Sequence, residues 1–341
     1  MTRSTRRATA LLAYLALTGA AVADPVTLRL SHWLPPTHPI VTQSIEPWAK
    51  AVTEASGGTI TFEMFPAAQL GKAEDHYDLA RDGIADMAWL NPGFNPGRFT
   101  AFAAVQVPMT VSDGMGGIAA LNEWYPEYAA SEMSDVHFCL AHMLSPLIVH
   151  SKTRVERPSD LRGMKIRPSS AMEALFIRNF GGSTVPGGNP EAREMLDRGI
   201  IDGTTGVVGS QFVFKTIDSV KYHLDVPFSA VSFVMVMNPD TYAGMDDAQK
   251  AVIGKFCSGQ AATTYFAAPQ TFEDEGFRKL RGMIDTHEVV TPSPEALAEW
   301  KAGAQAVETE WAKEATSKGL DPAAIRQKLH GALAAHNAAV N

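Results

Sequence analysis

The chain has 341 residues, of which 45% are hydrophobic and 19% charged, with 37 acidic against 29 basic side chains and a formal net charge of −8. An acidic chain with no basic block is a poor partner for nucleic acid or for an anionic membrane. This length is more than one hydrophobic core usually serves, so two domains are expected.

The N-terminus reads Met1-Thr-Arg3-Ser-Thr-Arg6-Arg7, then an apolar run from Ala8 to Ala16, then small residues up to Ala23. A basic head, a short apolar middle and an A-x-A end make a secretory signal peptide, 1–23, cleaved after Ala23. The run is too short for a membrane span of about 20 residues. Arg6-Arg7 resembles a twin-arginine signal, but no bulky residues follow in the expected places, so ordinary secretion is expected. Losing Arg3, Arg6 and Arg7 moves the formal charge from −8 to −11. The mature product, from Asp24 onward, has no further apolar stretch long enough to span a membrane.

Val26 to Leu30 alternates as a strand and runs into the proline-rich loop Ser31 to Pro39. An amphipathic helix from about Ile40 to Glu54 is closed by Gly57-Gly58, and Thr59 to Phe65 is a second strand. A helix near Ala73 to Arg81 stops at Gly83, and Ile84 to Leu90 is a third strand. Strand and helix in strict alternation make a parallel α/β domain. The joint Leu79-Ala-Arg-Asp-Gly83-Ile-Ala-Asp86 has a counterpart in Leu196-Asp-Arg-Gly199-Ile-Ile-Asp202, which favours two similar α/β lobes. Ser232 to Asn238 is an apolar strand that could cross between them. Asp246 to Ala267 reads as one long helix, and the region from Pro294 onward is helical, with Leu297, Trp300, Ala304, Val307 and Trp311 on one face. Cys139 and Cys257 both sit in apolar contexts of an exported chain, and either one bridge or two buried thiols fits them.

Catalytic signatures are absent: there is no G-x-S-x-G elbow, no S-x-x-K set and no H-E-x-x-H. Neither His32 with His38 nor His137 with His142 has the carboxylate or cysteine companions of a zinc site, so no metal is expected. Gly114-Met-Gly116-Gly-Ile-Ala119 matches a relaxed dinucleotide fingerprint but lies far from a first strand-to-helix turn. A helix opened by Ser112 or Asp113 is the preferred reading, and no cofactor is expected.

What remains suits holding a ligand. Pro158-Ser-Asp-Leu-Arg-Gly-Met-Lys-Ile-Arg167 carries a guanidinium to a strand end, where its planar fork either clamps a carboxylate or pairs with a neighbouring acid. Trp33, Trp89 and Phe94 offer flat apolar walls, and His32, Asn91, Ser145 and Thr205 offer hydrogen bonds. All sit at carboxyl ends of strands, where α/β proteins bind ligands.

Taken together, Leu28-Arg-Leu-Ser-His-Trp33, Phe65-Pro-Ala-Ala-Gln-Leu-Gly71, Gly83-Ile-Ala-Asp86, Pro96-Gly-Arg-Phe99, Val107-Pro108-Met109, Asp160 to Arg167 and Gly199-Ile-Ile-Asp202-Gly resemble the DctP-type solute-binding proteins of tripartite ATP-independent periplasmic (TRAP) transporters. The resemblance implies an α/β, two-lobed periplasmic-binding-protein-like fold with crossing strands and a long connecting helix. The expected lobes are 24–145 plus 233–272, and 146–232 plus 273–341 with the C-terminal helices. It implies a periplasmic, non-enzymatic receptor, monomeric or dimeric, that closes over an organic acid with Arg167 on the carboxylate and Trp33, Trp89 and Asn91 lining the cleft. Delivery would be to small and large membrane subunits driven by a sodium gradient.

Two departures narrow the ligand. Sialic-acid-binding members carry a second arginine on the strand before Arg167, where this chain has Leu147. Polar or aromatic partners usual after the Asp-Gly pair are replaced by Thr204-Thr205-Gly206-Val207. A monocarboxylate with an apolar or aromatic body is therefore slightly preferred over a dicarboxylate whose second acid would meet His32 and Asn91. A secreted enzyme acting on a small carboxylate and a periplasmic ligand sensor are the competing readings.

Overall fold

The computed structural model describes residues 24–340. Its strands are β1 (Val26–Ser31), β2 (Ile60–Phe65), β3 (Met87–Leu90), β4 (His137–Ser151), β5 (Lys165–Arg167), β6 (Ser183–Thr184), β7 (Gly203–Gly206), β8 (Tyr222–Met237) and β9 (Glu288–Val290). They form one mixed sheet in the order β2-β1-β3-β8-β4-β7-β5-β6, with β9 beside β8. At one end β1 runs parallel to β2 and β3, and at the other β5 runs parallel to β6 and β7. Each parallel group is the product of strand-helix-strand alternation, and helices cover it.

The two groups are joined by β4 and β8, an antiparallel pair that runs through the middle of the sheet. Their register slips between Met143 and Pro146 and again between Leu147 and Val149. Such irregularities bend a strand pair, and this one lies where the sheet passes from one lobe to the other.

The repeated joint is structural as well as sequential. Gly83 and Gly199 end their helices in the left-handed region, at φ 71° and 69°, where a side chain would be strained. Three residues on, Asp86 accepts from the Arg29 backbone N–H at 2.9 Å, as Asp202 does from Lys165 at 2.8 Å. Each aspartate thus pins the start of the strand that follows it to a neighbouring parallel strand.

The connecting helix is Pro294–Ser317, 24 residues long. Near its start Trp300 donates to the Glu156 carbonyl at 3.0 Å and packs on Phe176, Phe180 and Phe228; near its end Trp311 donates to the Thr100 carbonyl at 2.7 Å. Trp300, Val307 and Trp311 are fully buried, as the face read from sequence requires. The helix therefore staples one lobe to the other.

Two sequence expectations change here. The stretch Asp246 to Ala267 is two helices, Asp247–Phe256 and Gly259–Phe266, because Ser258 caps the second helix through the Ala261 N–H. At that break Cys257 is bonded to Cys139, which settles the cysteines as a bridge anchoring the break to β4. The glycines of the fingerprint-like run serve packing. Asp113 caps their helix at Gly116, and a Cβ on Gly116 or Gly117 would meet the His336 carbonyl at 2.1 Å or the Met143 sulfur at 2.2 Å.

Candidate functional site

The carboxyl ends of β1, β5 and β7 and the middle of β4 and β8 converge on a small cavity of about 20 Å³. Trp33, Leu34, His38 and Ile40 wall it from the loop after β1; Leu144, Leu147, Val231 and Phe233 come from the crossing strands. Ser169, Asn189, Gly206, Val207 and Ser210 close the far side.

Arg167 ends β5 with no exposed surface. Its Nε donates to the Gly187 carbonyl at 2.8 Å, and its Nη1 to the Thr205 carbonyl at 3.0 Å, to Ser169 Oγ at 3.2 Å and to Thr204 Oγ1 at 3.3 Å. Its Nη2 is buried with no partner among the described residues. None of those residues gives it an ion pair, so the reading in which Arg167 pairs with a neighbouring acid does not hold here. Burial pushes the guanidinium down to about 10, opposed by the more distant Glu173 and Glu191. At neutral pH it is still a cation, held by neutral oxygens and with one N–H arm uncommitted.

Thr205 and Glu173 position this arm. Glu173, in the helix Ala171–Asn179, accepts from the Ser169 N–H at 2.9 Å and from the Thr205 hydroxyl. Thr205 Oγ1 also takes the Ser169 N–H at 2.9 Å. Burial raises the Glu173 carboxyl, while Thr205, Ser169 and Arg167 lower it. The Ser170-x-x-Glu173 spacing directly after Arg167 is a capping signal through which Glu173 was findable in the sequence.

The other expected residues divide. Trp33 lines the cavity and leans on Trp89 and Phe94, with ring centroids 5.7 and 5.8 Å away. Trp89 itself lies behind the wall, donating to His142 Nε2 at 2.7 Å and stacking at 4.3 Å on Phe233, the ring that does face the cavity. Phe94 faces a separate groove of about 480 Å³ that Gly187 and Arg178 also line. Asn91 bridges the lobes, its amide donating to the Ser169 carbonyl at 3.2 Å. Ser145 is turned to Gln270, at 2.7 Å, and does not line the cavity. His32 is buried beside His76 with neither ring nitrogen partnered, and burial pushes it down to about 4. His38, Asn189, Ser210 and Phe233 line the cavity without having been singled out as ligand-binding. Asn189 and Ser210 sit in stretches with no motif, so only the fold brings them in.

Apolar walls and one uncommitted guanidinium arm suit the site to a small anion. Among the described residues no group of three His, Cys, Asp or Glu side chains is placed to hold a metal ion, and no helix is long and apolar enough to cross a membrane. The leader and its cleavage site lie outside the described residues.

The chain belongs to the DctP family, bacterial extracellular solute-binding protein family 7, whose model matches residues 30–314. A TRAP solute-binding protein from a marine metagenome, specific for aromatic acid ligands and solved with 3-hydroxybenzoate, is 27% identical with a TM-score of 0.86, over 92% of this chain and 99% of that one. A TRAP periplasmic solute-binding protein from Bordetella bronchiseptica with bound mandelate is 24% identical with a TM-score of 0.85, over 91% and 99%. The outer membrane transporter protein TsaT of Comamonas testosteroni is 22% identical over 92% of each chain. Membership makes this chain a solute-binding receptor and not an enzyme.

Proposed function

We propose that this protein is the periplasmic receptor of a TRAP transporter, cleaved after Ala23, that captures an aromatic monocarboxylate with its carboxylate on Arg167. The observation that carries this reading is the buried, unpartnered Nη2 of Arg167, whose neighbouring Nη1 holds Ser169 in the lining of a cavity walled by Trp33, Leu147 and Phe233. A cation without a counter-charge in a low-dielectric site is costly, and a carboxylate offsets that cost. Leu147, where a second arginine would serve a sugar acid, is a cavity wall and offers no second charge. The relative specific for aromatic acids supports the same class.

A cavity of about 20 Å³ holds roughly one water, so a ring enters only when the walls part. The register slips in β4 and β8 support a hinge there, dividing the mature chain into 24–145 plus 233–272 and 146–232 plus 273–341. Closure then presents both lobes to the small and large membrane subunits, which take the acid up with sodium.

A thermal-shift panel on protein from Asp24 onward, unfolded and refolded to strip carried-over acid, tests the class. Aromatic monocarboxylates should raise the melting temperature more than C4-dicarboxylates, sugar acids or amino acids. A ligand at one hundred times its Kd adds about 2.7 kcal/mol, which is readily seen. A dicarboxylate or sugar acid that stabilises most would overturn the aromatic assignment.

A further inference from the structure

A row of polar side chains crosses the sheet from the surface to the clamp. His223 on β8 is registered with His150 on β4, His150 with Thr204 on β7, and Thr204 with Arg167 on β5. Registered residues on adjacent strands share a face. Arg167 is thus two strand spacings from His150, roughly 10 Å.

The histidines are hydrogen-bonded in series. His150 Nε2 lies 3.0 Å from the Gly206 carbonyl, His150 Nδ1 lies 2.7 Å from His223 Nδ1, and His223 Nε2 lies 3.1 Å from His287 Nδ1. The carbonyl can only accept, so it fixes every tautomer in the neutral row. His150 carries its proton on Nε2 and accepts on Nδ1. His223 donates from Nδ1 and accepts on Nε2. His287 donates from Nδ1, leaving its Nε2 lone pair as the row's outer end. His287 is half-buried and lines an open basin of about 330 Å³ with Lys152, Asp218 and Lys221.

We propose that this row is a proton-binding site coupled to the acid site, so that capture of a carboxylate is accompanied by proton uptake through His287. A proton arriving on His287 Nε2 releases the Nδ1 proton to His223 Nε2, and His223 releases its Nδ1 proton to His150 Nδ1. One proton enters, two are relayed, and one positive charge ends on His150, whose Nε2–H holds Gly206 in the wall of the cleft. A carboxylate on Arg167 favours that charge. The coupling rests on the carboxylate reading of Arg167.

Surrounding charge leaves the row available. Asp218 raises and Lys221 lowers the affinity of His287 for its proton, with desolvation the larger, lowering effect. Burial pushes His150 down to about 4 and His223 to about 2, so the free row is neutral at pH 7. Next to the row's inner end, Glu273 meets the Gly209 N–H at 3.1 Å, and burial pushes that carboxyl up to about 8. Its own proton exchange therefore falls near pH 8, away from the histidine range.

Calorimetry of 3-hydroxybenzoate binding, in buffers of different ionisation enthalpy at pH 5.5 and pH 8, reads the coupling. The wild type should take up a fraction of a proton at pH 5.5 and bind roughly 1.5- to twofold more tightly there than at pH 8. His287→Gln, at the accessible end, should lower the uptake at pH 5.5 by at least half, and His223→Gln should abolish it. Glu273→Gln should leave it unchanged. Binding without uptake at pH 5.5, or uptake that survives both histidine variants, overturns the coupling alone. No binding at either pH overturns the carboxylate reading together with the coupling that depends on it.

Discussion

On the β1 side the cleft is walled by Trp33, Leu34 and His38, whereas on the β5 and β7 side it is walled by Ser169, Gly206, Val207 and Ser210, with Ser169 and the Thr205 carbonyl bonded to the Arg167 guanidinium. The first wall offers area and the second offers charge. The aromatic wall is rigid for packing reasons, since Trp33 rests on Trp89 and Trp89 on Phe233. The charged wall is rigid for hydrogen-bonding reasons, since Glu173, Thr205 and Ser169 hold one another and the arginine. Neither wall alone binds a small acid well. A ring without the clamp gains only buried area, and a clamp without the ring leaves the carboxylate competing with water. Under the proposed reading, specificity follows from having one wall of each kind.

Putting charge on the apolar side breaks the asymmetry most severely. Leu147 is fully buried, and Leu147→Arg places an uncompensated cation facing the cavity, which should cost about 3 to 5 kcal/mol of stability. Chemical denaturation measures it, and a variant as stable as wild type would mean that the wall is wetter or softer than described. If the folded fraction can be purified, its preference should move from aromatic acids towards diacids.

Trimming the aromatic wall is milder. Trp33→Ala should weaken aromatic acid binding by about 2 to 3 kcal/mol, through lost ring contact, and disturb small aliphatic acids less. Equal losses for both ligand types would show that Trp33 shapes the whole cleft and not one wall of it.

The walls also differ in which end of the pH range they fear. Burial pushes His32 to about 4 and His38 to about 3, so unfolded chains take up protons that the native state refuses. Stability on this side is full above pH 6.5 and falls as pH drops towards 4. Burial raises Glu173 and takes Glu273 to about 8, so their protonated forms favour the native state. That contribution is full below the unfolded value near 4.5 and is lost as pH rises through about 8. Melting temperature against pH should therefore fall on both flanks, and Glu273→Gln should flatten the alkaline flank alone.

Glu173→Gln is expected to do least to the fold and to act on the clamp. The amide keeps one acceptor for Thr205 or Ser169 but brings an N–H against donors, so acid affinity should drop by about 1 kcal/mol. An isothermal titration in which affinity is unchanged would remove Glu173 from the support of Arg167.

Much of this arrangement was legible in the chain itself. The outer strands alternate or run apolar between clear turn residues, and the duplicated Gly-Ile-x-Asp joints proved to be the same hydrogen-bonded device used twice. Arg167 stood out because a planar fork ends an otherwise apolar strand, although its spacing alone left an ion pair with a neighbouring acid equally open. The crossing strands were harder. His137–Ser151 mixes histidine, serine and proline because its neighbours change from one lobe to the other, so no single period runs through it. The break at Cys257-Ser258 was hidden because alanine-rich sequence on either side favours helix equally, and only the bridge to Cys139 and the Ser258 cap fix it. Ser145 lies between the cavity-lining Leu144 and Leu147, and Trp89 lies on the strand beside the one that carries Phe233. Which way each turns is decided by His142, Phe233 and Gln270, all distant in sequence.

The central claim is that the uncommitted arm of Arg167 takes the carboxylate. Calorimetric titration of an aromatic acid into wild type, Arg167→Lys and Arg167→Ala tests it most directly. Loss of a charge-assisted bond predicts at least about 1.5 to 3 kcal/mol weaker binding for alanine, with lysine recovering only part because an ammonium lacks the planar fork. Wild-type affinity in Arg167→Ala, in protein shown to be folded, would contradict the account.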